Sequence, residues 1–176
     1  VWEYNLSGPP CGRSDTGRLR PFTPQALSFP EAPSRAKNGV QIMAKGPFVF
    51  DSPALLKLFQ KEKGYEKVVQ LLEEIRKTGA AKFLNAINLG EIIYTTKKDF
   101  GDQKKLEVLA SIERLDFRIL PIPNELIFQA SEYKAEYSIS YADCFALASA
   151  VEHKAVIVTG DPEFKKVEHL AKIHWI

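Results

Sequence analysis

Between Phe48 and Ile176, short apolar runs alternate with longer stretches of helical period, and that alternation restricts the fold more than any other feature. Phe48-Val49-Phe50, Lys82 to Ile87, Phe117 to Ile122, Ala155 to Thr159 and Ile173 to Ile176 read as strands. Pro53 suits the first turn of a helix, and Ala54, Leu55, Leu58 and Phe59 give that helix one apolar face. Gly64 breaks the pattern before a second helix, in which Tyr65, Val68, Val69, Leu72 and Ile75 share a face and which Gly79 stops. Asn88 reads as the cap of a helix running through Glu91 and Tyr94, and Asp102 opens another with Leu106, Leu109, Ile112 and Leu115. Pro123-Asn124 start a helix carrying Leu126, Ile127, Ala130, Tyr133 and Tyr137. A polar Ser140-Tyr141 then leads into a mostly apolar helix through Val151. Strands that alternate with helices in this way form a mainly parallel sheet with helices on both faces, a doubly wound α/β fold. No internal repeat is visible.

Composition separates the first 42 residues from the rest. Eight of the eleven prolines fall within the first 53 residues, and residues 1–42 show no sustained apolar periodicity. They read as a disordered extension or a segment introduced by cloning, with Met43, the only methionine, as a candidate natural start. A flexible basic arm carrying Arg13, Arg18, Arg20, Arg35 and Lys37 is the functional alternative. The formal net charge is +2, and residues 43–176 carry nineteen basic and nineteen acidic side chains. A globally basic footprint for nucleic acid is therefore absent, so any such contact rests on local lysine and arginine clusters. Two cysteines, Cys11 and Cys144, show neither metal-type spacing nor a disulfide framework, which suits a reducing cytoplasm. No run reaches the length of a membrane span, and the N-terminus lacks the apolar core of a signal peptide.

Acids recur where such a sheet builds its sites. Asp51 ends the first strand, Glu91 lies near the start of the helix after the second, Asp143 sits in the first turn of an apolar helix, and Asp161 follows the fourth strand. The carboxyl ends of parallel strands face one way, so four acids distant in sequence can converge. Convergent carboxylates repel one another, and a hard divalent cation such as Mg²⁺ or Mn²⁺ relieves that repulsion with oxygen ligands. Singly, each acid has an ordinary explanation: a loop acid at Asp51 and Asp161, a solvated helix acid at Glu91, a helix-dipole acid at Asp143. Two of them at strand ends, with the other two at neighbouring helix starts, favour a shared site.

FVFDSPALL, NLGEI, SYADCFALA and VTGDPEF, in that order and spacing, resemble the motifs of PIN-domain ribonucleases, in particular the toxins of VapBC-type toxin–antitoxin pairs. The resemblance covers roughly residues 46–176. It implies a three-layer α/β/α sandwich, a Mg²⁺- or Mn²⁺-dependent endoribonuclease acting on RNA, a partner antitoxin protein and a homodimer. Asp51, Glu91 and Asp143 match the family's main acids, and Asp161 matches the fourth. Ser52 and Thr159 match accessory hydroxyl positions, and Asn88 a polar position a turn before the Glu. Pro53 departs from the pattern, standing where a small polar residue is commoner, and the long extension before Met43 is atypical. In such pairs the antitoxin wraps the nuclease and can place a basic residue near the acids. Leu55, Leu58, Phe59 and Val68 are either an apolar groove for it or side chains packed on the sheet.

Other residues have ordinary readings. His153, His169 and His174 lack the spacing of a zinc site. Lys97-Lys98 and Lys104-Lys105 are either phosphate grips or a solvated helix end. Tyr141 borders a nucleotide or packs. Phe48, Phe50 and Phe145 read as core, and Cys144 as a small core residue rather than a nucleophile. Three other functions compete with the nuclease. A non-catalytic PIN-fold binding module is disfavoured by the intact set of acids. An Asp-nucleophile phosphatase wants a second Asp where Pro53 stands. A nucleotide-binding Rossmann domain wants a Gly-rich turn after the first strand.

Overall fold

The computed structural model describes residues 46–176; the Pro-rich residues 1–42, with their basic arm, lie outside the described residues. The order of elements is β1 (Phe48–Phe50), α1 (Ser52–Gln60), α2 (Tyr65–Thr78), β2 (Lys82–Asn85), α3 (Ala86–Arg114), β3 (Arg118–Leu120), α4 (Asn124–Glu136), α5 (Tyr141–Glu152), β4 (Val156–Thr159), a 3-10 turn (Pro162–Val167) and β5 (Ile173–Trp175). Five strands form one sheet in the order β3-β2-β1-β4-β5, and every pairing is parallel. The chain moves outward from β1 through β2 to β3, then returns to the other side of β1 for β4 and β5. Reversal of direction sends successive right-handed crossovers to opposite faces of the sheet.

Two cores follow from the two-residue period of the strands. Phe48, Phe50, Leu84 and Val158 face one side and pack with Leu55 of α1, Val68 and Ile75 of α2, and Ile92 and Ile112 of α3. Val49, Phe83 and Ile157 face the other side and pack with Ala130 of α4, Leu147 of α5 and Phe164 of the 3-10 turn. A three-layer α/β/α sandwich with a parallel central sheet is the result, as the alternation of elements requires. Phe48, Phe50 and Phe145 are core side chains, and Phe50 meets Phe117 edge-on with ring centroids 5.0 Å apart.

Some boundaries shift from the sequence expectation. The second strand ends at Asn85 rather than Ile87, because Asn85 turns the chain into α3. Asn85, not Asn88, is the cap of that helix: its Oδ1 accepts the Asn88 backbone N–H at 2.9 Å. The helices expected on either side of Asp102 form one long element broken at Gly101, whose φ of 82° and ψ of −178° are not helical. Leu55 and Val68 are fully buried in the core, so neither lines an open groove, and Leu58 and Phe59 are only partly covered.

Candidate metal centre

Order reversal leaves a crevice between the carboxyl ends of β1 and β4, the usual location of a site in an open parallel sheet. The two strands are tied there by the Asp51 N–H, which donates to the Val158 carbonyl at 3.2 Å. All four acids belong to this edge, and three of them are anchored by the start of a helical segment.

Asp51 caps α1: its Oδ1 accepts the Ala54 N–H at 2.7 Å. Pro53 fits inside that first turn because a residue there needs no N–H donor. The departure from the family pattern at this position therefore leaves the Asp51 geometry intact. Asp143 closes a capping box on α5, in which Ser140 Oγ accepts the Asp143 N–H at 3.1 Å and Asp143 Oδ2 accepts the Ser140 N–H at 3.2 Å. Asp161 caps the 3-10 turn through Glu163 N–H at 2.8 Å, and its own N–H donates to Thr159 Oγ1 at 2.8 Å. Each aspartate thus commits one carboxyl oxygen to the backbone, which fixes its rotamer. Glu91 lies in the second turn of α3 and is half-buried, as is Asp161.

Beneath the acids runs a buried polar network. Asn88 Nδ2 donates to Ser52 Oγ at 3.1 Å and to the Ala142 carbonyl at 3.4 Å, while Ser52 Oγ donates to the Asn88 carbonyl at 3.2 Å. Asn85 Nδ2 donates to Asn88 Oδ1. Asn88 therefore ties the starts of α1, α3 and α5 together, and those starts carry Asp51, Glu91 and Asp143. Sequence reasoning placed Asn88 near the site but missed Asn85. The legible signal was a second polar residue three positions ahead, the spacing of a cap and its partner.

Burial and like charge set the electrostatics. Desolvation of the fully buried Asp51 raises its pKa to about 7; a Thr159 hydroxyl and the Ala54 N–H oppose the rise, and Asp143 and Asp161 add to it. Thr159 does not reach ordinary hydrogen-bond geometry, and Asp51 Oδ2 is buried with no donor. Asp143 is raised to about 6, again mainly by burial, with Ser140 opposing and with Asp161 and then Glu91 adding repulsion. Asp51 and Asp143 thus each feel the charge of other acids of the set.

An all-oxygen set of acids suits a hard cation, and the donorless Asp51 Oδ2 is an oxygen that only a proton or a cation satisfies. Among the described residues no three His, Cys, Asp or Glu side chains close into a ready-made metal cage. Mg²⁺ does not require one, because it is commonly held by one or two carboxylates together with waters and substrate phosphate. The donor set fits on those terms, with Asp51 and Asp143 as the buried base and Glu91 and Asp161 at the rim.

The remaining candidates resolve into packing and ion pairs. Cys144 is buried, and desolvation pushes its thiol up to about 11, so it is not a thiolate nucleophile at neutral pH. His153 packs on Phe83 and His169 on Tyr137, and burial lowers the pKa of His174. Tyr141 is 45% exposed at the start of α5, with its hydroxyl 3.2 Å from Ser131 Oγ. Lys97 and Lys105 both pair with Asp102, and Lys104 with Glu107. No helix among the described residues is long and apolar enough to cross a membrane.

Several solved structures share the fold at low identity. A chain of the Rickettsia felis VapBC2 complex, bound to a DNA fragment from its promoter, is 15% identical with a TM-score of 0.58, covering 73% of this chain and 98% of that one. Mycobacterium tuberculosis VapC20, described as a sarcin-ricin loop cleaving toxin, is 14% identical with a TM-score of 0.55, covering 68% and 94%. A chain of a toxin–antitoxin complex from Klebsiella pneumoniae is 21% identical with a TM-score of 0.53, covering 73% and 98%. No curated protein matches the sequence. The PIN domain family model matches residues 48–170, from the first strand past the 3-10 turn, and with a match over most of its length the chain belongs to the PIN-domain family.

Proposed function

We propose that this PIN domain is a divalent-metal-dependent endoribonuclease and the toxin of a toxin–antitoxin pair. One observation carries the reading: Asp51 is fully buried facing Asp143 and Asp161, with Oδ2 lacking any donor. Burying like charges without a counter-ion is costly, and a fold that retains them here supports a cation as the missing partner. Mg²⁺ or Mn²⁺, when bound, would neutralise charge at a substrate phosphate and make an attacking water more acidic.

The chain's own groups prepare that chemistry. Asp51, Glu91, Asp143 and Asp161 are the ligands and catalytic acids in this reading. Ser52 and Asn88 position the helix starts that carry them, and Thr159 orients the Asp161 backbone. The backbone caps hold one oxygen of each aspartate, leaving the second to face a cation. Membership of the PIN family and structural likeness to toxin–antitoxin proteins support a nuclease with a protein partner.

An acidic crevice that attracts Mg²⁺ also attracts an arginine, which can bond bidentately to a carboxylate and block metal and RNA together. An antitoxin segment placing such a residue here inhibits the enzyme. Exposed Tyr94, Phe100, Leu106 and Phe128 offer apolar area for that partner or for a second copy in a homodimer.

Incubating the purified protein with RNA tests the reading. Cleavage should require Mg²⁺ or Mn²⁺, stop in EDTA, and fall at least about a hundredfold in Asp143→Asn, on the scale of losing a principal catalytic group. Full activity in EDTA or in Asp143→Asn overturns it. Expression with and without the product of the neighbouring upstream reading frame tests the toxin assignment separately. Growth arrest relieved by co-expression is expected, and a harmless protein that recovers no small partner is a stand-alone PIN nuclease.

A further inference from the structure

An open groove leads away from the acids, lined by Pro53, Lys57 and Gln60 of α1, Thr95 of α3, and Gly160 and Asp161 after β4. Lys57 is placed unusually within it. Its side chain runs past Gly64, where a Cβ would stand 3.8 Å from Lys57 Cδ, and its ammonium reaches over Gly160, where a Cβ would stand only 2.7 Å from Nζ. Gly160 is thus the residue that leaves room for the ammonium beside Asp161.

Lys57 makes no ion pair among the described residues, whereas Lys97, Lys104 and Lys105 of α3 are each held by an acid. Glu62, Asp99 and Asp161 also line the groove, so Lys57 is the one cationic side chain among its described lining residues on which a phosphate can rest.

We propose that Lys57 is a substrate-binding residue whose ammonium, seated over Gly160, grips a backbone phosphate of single-stranded RNA next to the bond presented to the four acids. The inference rests on the nuclease reading and adds the direction in which the strand leaves the site, along α1. A lysine serves this purpose as a point charge on phosphate and carries no base preference.

The test uses the full chain and a non-cleavable 2′-O-methyl RNA oligonucleotide, with affinity read by fluorescence anisotropy between 50 and 200 mM salt. Lys57→Gln should weaken binding about three- to tenfold and reduce the slope of log affinity against log salt by about 0.7, the share of one single-strand phosphate contact. Lys57→Arg should keep the slope. Lys154→Gln, at the far end of β4, should match the unsubstituted protein. A wild-type slope in Lys57→Gln overturns the inference. Failure of the unsubstituted protein to bind the oligonucleotide at all overturns the nuclease reading itself, a separate and recognisable outcome.

Discussion

At the scale of single residues, what matters is which buried polar atoms have partners. Ser149 lies fully buried in α5, and its Oγ has no hydrogen-bond partner. Ser149→Ala removes an unsatisfied hydroxyl and installs the best helix former, so it should raise stability by about 1 kcal/mol in denaturant unfolding. Asn88 is the opposite case. Asn88→Ala leaves Ser52, Asn85 and the Ala142 carbonyl short of partners and should cost about 2–4 kcal/mol. The sequence made the four acids legible because strand ends and helix starts are local features. It did not show that Asn85 caps α3 while Asn88 bridges three helices, because that division of labour depends on tertiary contacts to Ser52 and Ala142.

At the scale of elements, the strands were legible from apolar runs, but their ends were not. Lys82 to Ile87 and Phe117 to Ile122 looked longer than the observed β2 and β3, since Ile87 and Ile122 are apolar residues that follow the strand rather than extend it. Gly101 marks a break that the polar sequence around Asp102 announced. At φ 82° and ψ −178° the backbone is in a region open essentially to glycine, and a Cβ there would touch nothing. Gly101→Ala should therefore cost about 1–3 kcal/mol from backbone strain alone. A loss near zero would show that α3 can straighten through this point. Asp51→Asn should leave α1 formed, because Asn caps a helix as well as Asp does.

At the scale of the molecule, strand order reverses at β1, and this brings residues 51 and 161 to one crevice although 110 positions separate them. Alternation of elements implied the parallel sheet; the order of strands needed the return from β3 to β4, which no local pattern records. Gathering the acids also gives the whole domain a pH dependence. The folded protein holds Asp51 and Asp143 at about 7 and about 6, above the ordinary value of 3.8. Between those limits the folded state keeps protons that the unfolded chain has released. The stability they contribute is fully present below about pH 4 and is lost as pH rises through about 6 and about 7. Metal-free Asp51→Asn should accordingly be more stable than the unsubstituted protein at pH 8, with the advantage vanishing towards pH 4. Melting curves of the two proteins across this range in EDTA check the sign, and an Asp51→Asn that is less stable at pH 8 contradicts it.

Titration of Mn²⁺ into the protein, followed by calorimetry at pH 6.5 in buffers of different ionisation heat, tests the shared cation site most directly. Asp51 and Asp143 are partly protonated at that pH, so a cation that needs their carboxylates must displace protons. Saturable binding with net proton release is predicted, with smaller release at pH 8 and affinity weakened at least about tenfold in both Asp51→Asn and Asp143→Asn, as for removal of a metal-binding group. Mn²⁺ binding that is absent, or that proceeds unchanged in both variants without releasing protons, would contradict the assignment of these acids to one metal centre.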